Sequence, residues 1–283
     1  MGVRFADMEW ARWGCRQTGF RYVLYGRDTP ESLLSLWRKA PTGKSGSPTR
    51  QRGVAIYFGH EGREYAYRHY YRGGWPARWI RDRYFWLGLA RSRPWRELAL
   101  LAEMNQEGLP VPLPVLAIVD RTGLWGYRAD LVTRRLEGVS LVEAIRSGQP
   151  IDWARIGQTI RRFHNLGIQH ADLNAGNIWL VPGGGVYLLD FDRARRHFPG
   201  TSYFFSRSLR RLRRSLEKQP GGSQHAGTWD ALIRLGYARE ETSHLEGLGS
   251  VRSPFGQLDL HGQDGSDPSE SGSDGQEDQT QVD

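Results

Sequence analysis

Apolar positions change their period along this chain. The run "VAIYFGHEGREYAYRHYYRGG" alternates apolar and polar residues and is rich in β-branched and aromatic side chains, so it predicts two strands joined at "GHEG". "LPVPLPVLAIVD" and "LWGYRADLVTRRL" read as two more strands, parted by the turn "RTG". Between the two pairs, "RPWRELALLAEMNQEG" has helical spacing and ends at Gly108, a C-capping glycine. Upstream, "TPESLLSLWRKA" predicts a short helix capped by Thr29, with Pro30 at its first position. The segment "PTGKSGSPTRQRG" that follows it reads as a loop.

After Gly138 the helical period dominates. "SLVEAIRSG" and "DWARIGQTIRRFHNLG" predict helices, the second capped by Asp152 and carrying Ile156, Ile160 and Phe163 on one face. "NIWLVPGGGVYLLDF" reads as a hairpin, and "SRSLRRLRRSLEK" as an amphipathic helix with Leu209, Leu212 and Leu216 on one side. A strand-rich half followed by a helix-rich half predicts an α+β fold of two lobes, residues 1–132 and 133–252, with a cleft between them. Residues 253–283 are rich in Gly, Ser, Asp and Gln and bury too little surface to fold, so a disordered acidic tail is expected there.

Composition narrows the classes of function. A single cysteine, Cys15, excludes an internal disulfide and a multi-cysteine zinc site, as expected of a reducing cytoplasm. The first residues carry charges throughout and lack the apolar core of a signal peptide, and no run of about eighteen apolar residues predicts a membrane span. Net charge is +8, unevenly placed: the last 31 residues hold eight acids and no Lys or Arg, which leaves the preceding body at +16. Such a field attracts polyanions, whether nucleic acid, an anionic membrane or a phosphorylated substrate. No nucleic-acid-binding module is recognisable.

The chemistry concentrates in "HADLNAGNIWL" and "LLDFDRAR". Phosphoryl transfer needs a carboxylate to orient or deprotonate the attacking hydroxyl, and oxygen ligands that hold Mg²⁺ against the donor phosphates. H-x-D followed five positions later by Asn supplies both: Asp172 as base and Asn177 as a metal ligand. The predicted hairpin returns Asp190 to the same place as the second ligand. His170 is expected to serve the backbone of this loop rather than the reaction.

These two motifs, with "RHYYRGG", "DRYFWLGLARSRPWRELALL", "GLPVPLPV" and "YRADLVTRRLEG" in the same order, closely resemble the 3-deoxy-D-manno-octulosonic acid (Kdo) kinases. That group belongs to the lipopolysaccharide core kinases of the protein-kinase-like superfamily, and the resemblance spans roughly residues 50–218. It implies a protein-kinase-like bilobed fold that uses ATP and Mg²⁺ to phosphorylate the 4-hydroxyl of Kdo in Kdo-lipid A. The setting implied is the cytoplasmic face of a Gram-negative inner membrane, held peripherally by an anionic lipid surface.

The resemblance also implies roles for residues that pattern alone does not mark. No lysine exists between Ser45 and Glu217, so the position of the kinase strand lysine falls to Arg68, with Glu97 as its helix partner and Glu103 as an alternative. Arginine forks onto phosphate oxygens but is not interchangeable with lysine. Gly53 is the sole remnant of a glycine-rich phosphate loop. Arg193, Arg195 and Arg196 follow the metal-binding Asp190, placed to grip a sugar carboxylate or lipid A phosphate, and Asp192 among them is a further substrate-binding candidate. The long peptide-binding segment closed by A-P-E is missing, which favours a glycolipid or small-molecule acceptor over protein. Two alternatives stay open at this point: another core sugar or small molecule as acceptor, and an inactive kinase-like protein that binds lipopolysaccharide intermediates.

Overall fold

The computed structural model describes residues 12–39, 55–71, 82–197, 202–220 and 225–238. The loop "PTGKSGSPTRQRG" with Gly53 and the acidic tail therefore lie outside the described residues. Along the chain come β1 (Trp13–Thr18), β2 (Arg21–Gly26), α1 (Glu31–Lys39), β3 (Ile56–His60), β4 (Arg63–His69), β5 (Tyr84–Phe85) and α2 (Arg93–Gln106). They are followed by β6 (Pro114–Arg121) and β7 (Gly126–Arg134). These seven strands form one antiparallel sheet in the order β1-β2-β6-β7-β4-β3, with β5 pairing onto β7.

The sheet is built on its central strand. β6 carries the continuous apolar run "VLAIV", which only a strand covered on both faces can bury. On one face, Leu33, Leu34 and Trp37 of α1 pack against Val23, Tyr65, Tyr67, Leu116, Ile118 and Val132. The Trp37 ring stacks on Tyr67 with centroids 5.0 Å apart. α2 also packs against β6, burying Leu98, Leu101, Ala102 and Met104. The hairpin β1–β2 is a difference from the sequence reading, which resolved no strands in the first fifty residues. At α1, the Thr29 hydroxyl donates to the Val115 carbonyl at 3.3 Å, tying the helix to β6.

The second half is mainly helical. β8 (Val139–Ser140) leads into α3 (Leu141–Arg146), whose capping box joins Ser140 and Glu143. α4 (Trp153–Asn165) begins at Asp152, whose carboxylate accepts from the Arg155 amide at 2.9 Å, and it buries Ile156, Ile160 and Phe163 as their spacing predicts. Then follow β9 (Ile168–Gln169), the hairpin of β10 (Ile178–Leu180) and β11 (Val186–Leu188), β12 (Arg195–Arg196) and α5 (Ser202–Glu217). Last is α6 (His225–Asp230), running into a π-helical stretch, Ala231–Tyr237. This terminal segment has no counterpart in the sequence reading. It packs on α4 backbone to backbone: a Cβ at Gly157 would lie 2.0 Å from the Leu232 carbonyl oxygen, and one at Gly236 2.1 Å from that of Ala154.

His164, near the end of α4, is sealed beneath the same segment. Its ring stacks on Phe205 at 4.4 Å and its Nδ1 shares a hydrogen bond with the Tyr237 hydroxyl at 2.8 Å. Burial, aided by the charge of Arg161, lowers its pKa to about 3, so the folded state holds it neutral. A pKa depressed on folding contributes stability above the ordinary histidine value, and that stability drains away as pH falls toward the folded value. Unfolding free energy should therefore drop by roughly 1.4 kcal/mol per pH unit on this residue's account below about pH 6.5. Urea titrations between about pH 7.5 and pH 5.5 should show a shallower decline for His164→Gln than for the parent protein.

Candidate active site

The pleat of β4 sorts its residues. Tyr65 and Tyr67 point into the core beneath α1, so Ala66 and Arg68 face the other way. Both line a cavity of about 670 Å³ together with Glu97, Leu101, Leu131, Asn177 and Asp190, among others. Glu97 and Leu101, one turn apart on α2, present one helix face to this space.

Arg68 is the junction. One guanidinium nitrogen binds the Glu97 carboxylate and the other binds Asp190, so a strand, a helix and the end of a hairpin meet on one side chain. Its guanidinium also lies 4.9 Å from the Tyr70 ring centroid, and the Tyr70 hydroxyl donates to the second Glu97 oxygen at 2.5 Å. Burial works against the arginine charge, yet Glu97, Tyr70 and Asp190 together hold its pKa well above the ordinary value. Burial pushes the Glu97 carboxyl up, with Arg68 pulling the other way. For Asp190 the balance reverses: burial would raise it, but the charge and hydrogen bond of Arg68 hold it below the usual carboxylate range. Glu103, the alternative partner, instead pairs with Arg196 at 3.0 Å.

Asp190 is presented by its backbone. It follows β11 with φ at +64°, a left-handed conformation that aspartate tolerates better than most residues. The turn is pinned on both sides. Leu189 donates its amide to the Asn177 carbonyl at 2.9 Å, and the buried Phe191 stacks on Phe163 with centroids 5.7 Å apart. Asp192 reaches back to α2, pairing with Arg93 at 2.9 Å, while the Arg93 amide donates to the Tyr127 hydroxyl at 3.0 Å. Burial raises the Asp192 carboxyl, with Arg93 and Arg68 opposing.

The loop carrying Asp172 is held as closely. His170 donates from Nε2 to the Leu189 carbonyl at 2.7 Å and accepts the Asp172 amide at Nδ1, 3.2 Å away, so it is the neutral tautomer. Burial lowers its pKa, in keeping with that assignment. The Asn177 side chain donates to the Asp172 carbonyl at 2.9 Å and the Asn174 side chain to the same atom at 2.9 Å. α5 meets this loop at three points: Ser208 donates to the His170 carbonyl at 3.0 Å, Arg211 pairs with the Asp172 carboxylate, and Ser215 accepts the Ala175 amide at 3.1 Å. Positions 208, 211 and 215 share one edge of the helix, beside the buried leucines at 209, 212 and 216.

Arg68, Glu97, Asn177 and Asp190 thus share one cavity, whereas Asp172, Asp192, Arg193 and Arg195 do not line it. Arg193 is exposed, and Arg195 is exposed on β12 opposite Gln169. Gly53 lies outside the described residues. Sequence reasoning did not single out Tyr70, Arg93, Ser208, Arg211 or Ser215 for the site. The serine–arginine–serine spacing beside the leucine stripe was the available signal for α5.

A magnesium ion suits this donor set. Asp190 is held below the usual carboxylate range, and Asn177 commits its amide nitrogen to Asp172, which leaves its oxygen as the remaining donor. Among the described residues no cluster of three or more His, Cys, Asp or Glu offers an all-protein cage. One carboxylate and one amide oxygen fit a cation whose shell is completed by phosphates and water.

Glu97→Leu should destabilise the fold by roughly 3–5 kcal/mol in urea unfolding, because it leaves the Arg68 charge in a site built for two carboxylates. The double replacement Arg68→Met with Glu97→Leu should recover part of that loss, since the Arg68 charge is gone and the unpaired Asp190 carboxylate, 39% exposed, is left to solvent.

A family model described as "Lipopolysaccharide kinase (Kdo/WaaP) family" matches residues 37–235. A 3-deoxy-D-manno-octulosonic acid kinase of Xanthomonas axonopodis pv. citri (strain 306) is 46% identical over 231 residues, covering 78% of this chain and 90% of the relative. The enzyme of the same description from Xanthomonas euvesicatoria pv. vesicatoria (strain 85-10) is 45% identical with the same coverage. That of Xylella fastidiosa (strain M12) is 47% identical over 156 residues, 54% of this chain and 62% of the relative. Among solved structures, one described as "WaaP in complex with acyl carrier protein" aligns with a TM-score of 0.47 at 14% identity, covering 77% of this chain and 92% of that one.

Proposed function

This chain belongs to the lipopolysaccharide kinase (Kdo/WaaP) family, and we propose that it transfers the γ-phosphoryl group of ATP to the 4-hydroxyl of Kdo in Kdo-lipid A. The observation that carries this reading is the convergence of Arg68, Glu97 and Asp190 beside Asn177 in one cavity. Reactions of this kind are catalysed chiefly by positioning and charge neutralisation, and the cavity supplies fixed charges of both signs.

In this reading Asp172 accepts the proton of the sugar hydroxyl as its oxygen attacks the γ-phosphorus, and the β–γ bridging oxygen departs with ADP. Arg211 orients the Asp172 carboxylate. Arg68 steers donor phosphate oxygens with its planar fork and is itself aimed by Glu97 and Tyr70. Asp190 and Asn177 would hold Mg²⁺, which supplies charge neutralisation between the donor phosphates when bound. Asp192 acts as a positioning residue through Arg93, bracing α2 against the loop that presents Asp190. The exposed Arg193 and Arg195 remain available to phosphates of the lipid. Among the described residues no helix is long and apolar enough to cross a membrane, and the basic body would seat the enzyme peripherally on the anionic cytoplasmic face of the inner membrane.

The deciding experiment offers γ-labelled ATP with Kdo-lipid A, and in parallel with lipid A lacking Kdo. Label should enter only the Kdo-bearing lipid, and Asp172→Asn should lower kcat by about 10²–10⁴-fold. Arg68→Lys keeps the charge but not the fork, and the loss of one charge-assisted hydrogen bond should cost about 10–100-fold in kcat/KM. A folded protein that binds ATP yet labels neither lipid would overturn the reading.

A further inference from the structure

Large apolar side chains on most of this surface are scattered, but five gather at one end of the sheet. Phe20 on the β1–β2 turn, Phe85 and Leu87 around β5, and Leu124 and Trp125 on the β6–β7 turn are between 60% and 77% exposed. They come from three separate segments that the backbone binds together. The Arg121 amide donates to the Phe20 carbonyl and the Trp86 amide to the Trp125 carbonyl, each at 2.9 Å, while Phe85 pairs with Gly126. The Trp86 ring, stacked on Tyr22 at 5.6 Å, fills the space beneath. The Arg121 guanidinium lies over both Phe20 and Trp86, 5.4 and 5.1 Å from their centroids.

The charge around these tips is one-sided. The segments 18–22, 82–91 and 120–128 contain five arginines and two aspartates. Both aspartates are already satisfied: Asp120 by Arg21 and Asp82 by Arg128 at 2.8 Å. Arg83, Arg91 and Arg121 add positive charge beside the aromatic rim, with no further carboxylate in these segments. Protruding Trp, Phe and Leu flanked by arginine is the chemistry of a bilayer interface, where rings lie at the headgroup level and guanidinium groups meet phosphates.

We propose that this end of the sheet, Phe20, Phe85, Leu87, Leu124 and Trp125 with Arg121, is the surface that inserts into an anionic lipid bilayer. The proposal deepens the membrane partner of the preceding reading and rests on it for the identity of that partner. It differs from a purely electrostatic attachment through the arginines of α5, because apolar side chains enter the lipid. The β7 residue next to the rim, Tyr127, accepts the amide of Arg93, and Arg93 pairs with Asp192 two residues beyond Asp190. The rim is therefore joined by a short chain of contacts to the loop that presents Asp190.

The test uses the full-length protein and vesicles of phosphatidylethanolamine with phosphatidylglycerol, with neither ATP nor acceptor present. Leu124→Ser with Trp125→Ser should weaken vesicle co-sedimentation at least about tenfold. Phosphoryl transfer to detergent-dispersed Kdo-lipid A should be unchanged in that variant. Cys15 is the single cysteine, so Cys15→Ser with Leu124→Cys allows one environment-sensitive fluorophore on the rim. Its emission should shift to the blue on vesicle addition, which charge-only contact would not produce. Equal vesicle binding by variant and parent, or no binding by the parent, would overturn the proposal. So would a parent dimer that the double replacement dissociates while leaving vesicle binding intact, because the rim would then cover a second copy. Rim-dependent vesicle binding by a protein that transfers no phosphate would uphold the surface and defeat the kinase reading alone.

Discussion

A half-buried cation shared between two carboxylates organises this molecule. Arg68 enters the cavity because the pleat of β4 gives the opposite face to Tyr65 and Tyr67, and those aromatic rings are committed to the core. Once there, its permanent charge is matched by Glu97 and Asp190, which ties α2 and the exit of β11 to β4. A lysine, with one compact charge, could satisfy one of these partners well. The planar fork of arginine satisfies both at defined angles. Apolar side chains can replace such a network without weakening a fold, so its presence here is best understood through what the charges do in the cavity.

The second constraint is the rigidity of the loop around Asp172. His170, neutral and doubly hydrogen-bonded, spans from this loop to the end of the hairpin at Leu189, while Asn174 and Asn177 close on the Asp172 carbonyl. Phe191 anchors the adjoining turn under α4. The backbones of two acidic groups in different loops are thereby fixed by neutral side chains and packing, while their carboxylates pair with Arg211 and Arg68.

Much of this was legible beforehand, and for identifiable reasons. The strands β3, β4, β6 and β7 and the helix α4 carry strong periodicity, and the hairpin of β10 and β11 is announced by "PGGG". Asp172, Asn177 and Asp190 stood out because their spacing straddles that hairpin. Arg68 and Glu97 could be named only through the family resemblance, since an arginine in a strand and a glutamate in a helix are ordinary in isolation. The hairpin β1–β2 was missed because arginine and glycine interrupt its alternation. The terminal helix was missed because its docking depends on Gly157 and Gly236, whose close approaches exist only once the two segments lie side by side. Arg211 was read with its neighbours as part of a basic face. The edge it shares with Ser208 and Ser215 becomes meaningful only when the loop they hold is in place.

The helix α5 splints the loop around Asp172: two serines grip the loop's backbone and one arginine grips its carboxylate. The geometry around Asp172 is thereby tied to the packing of Leu209, Leu212 and Leu216, so a substitution in that leucine stripe reaches the loop without touching it.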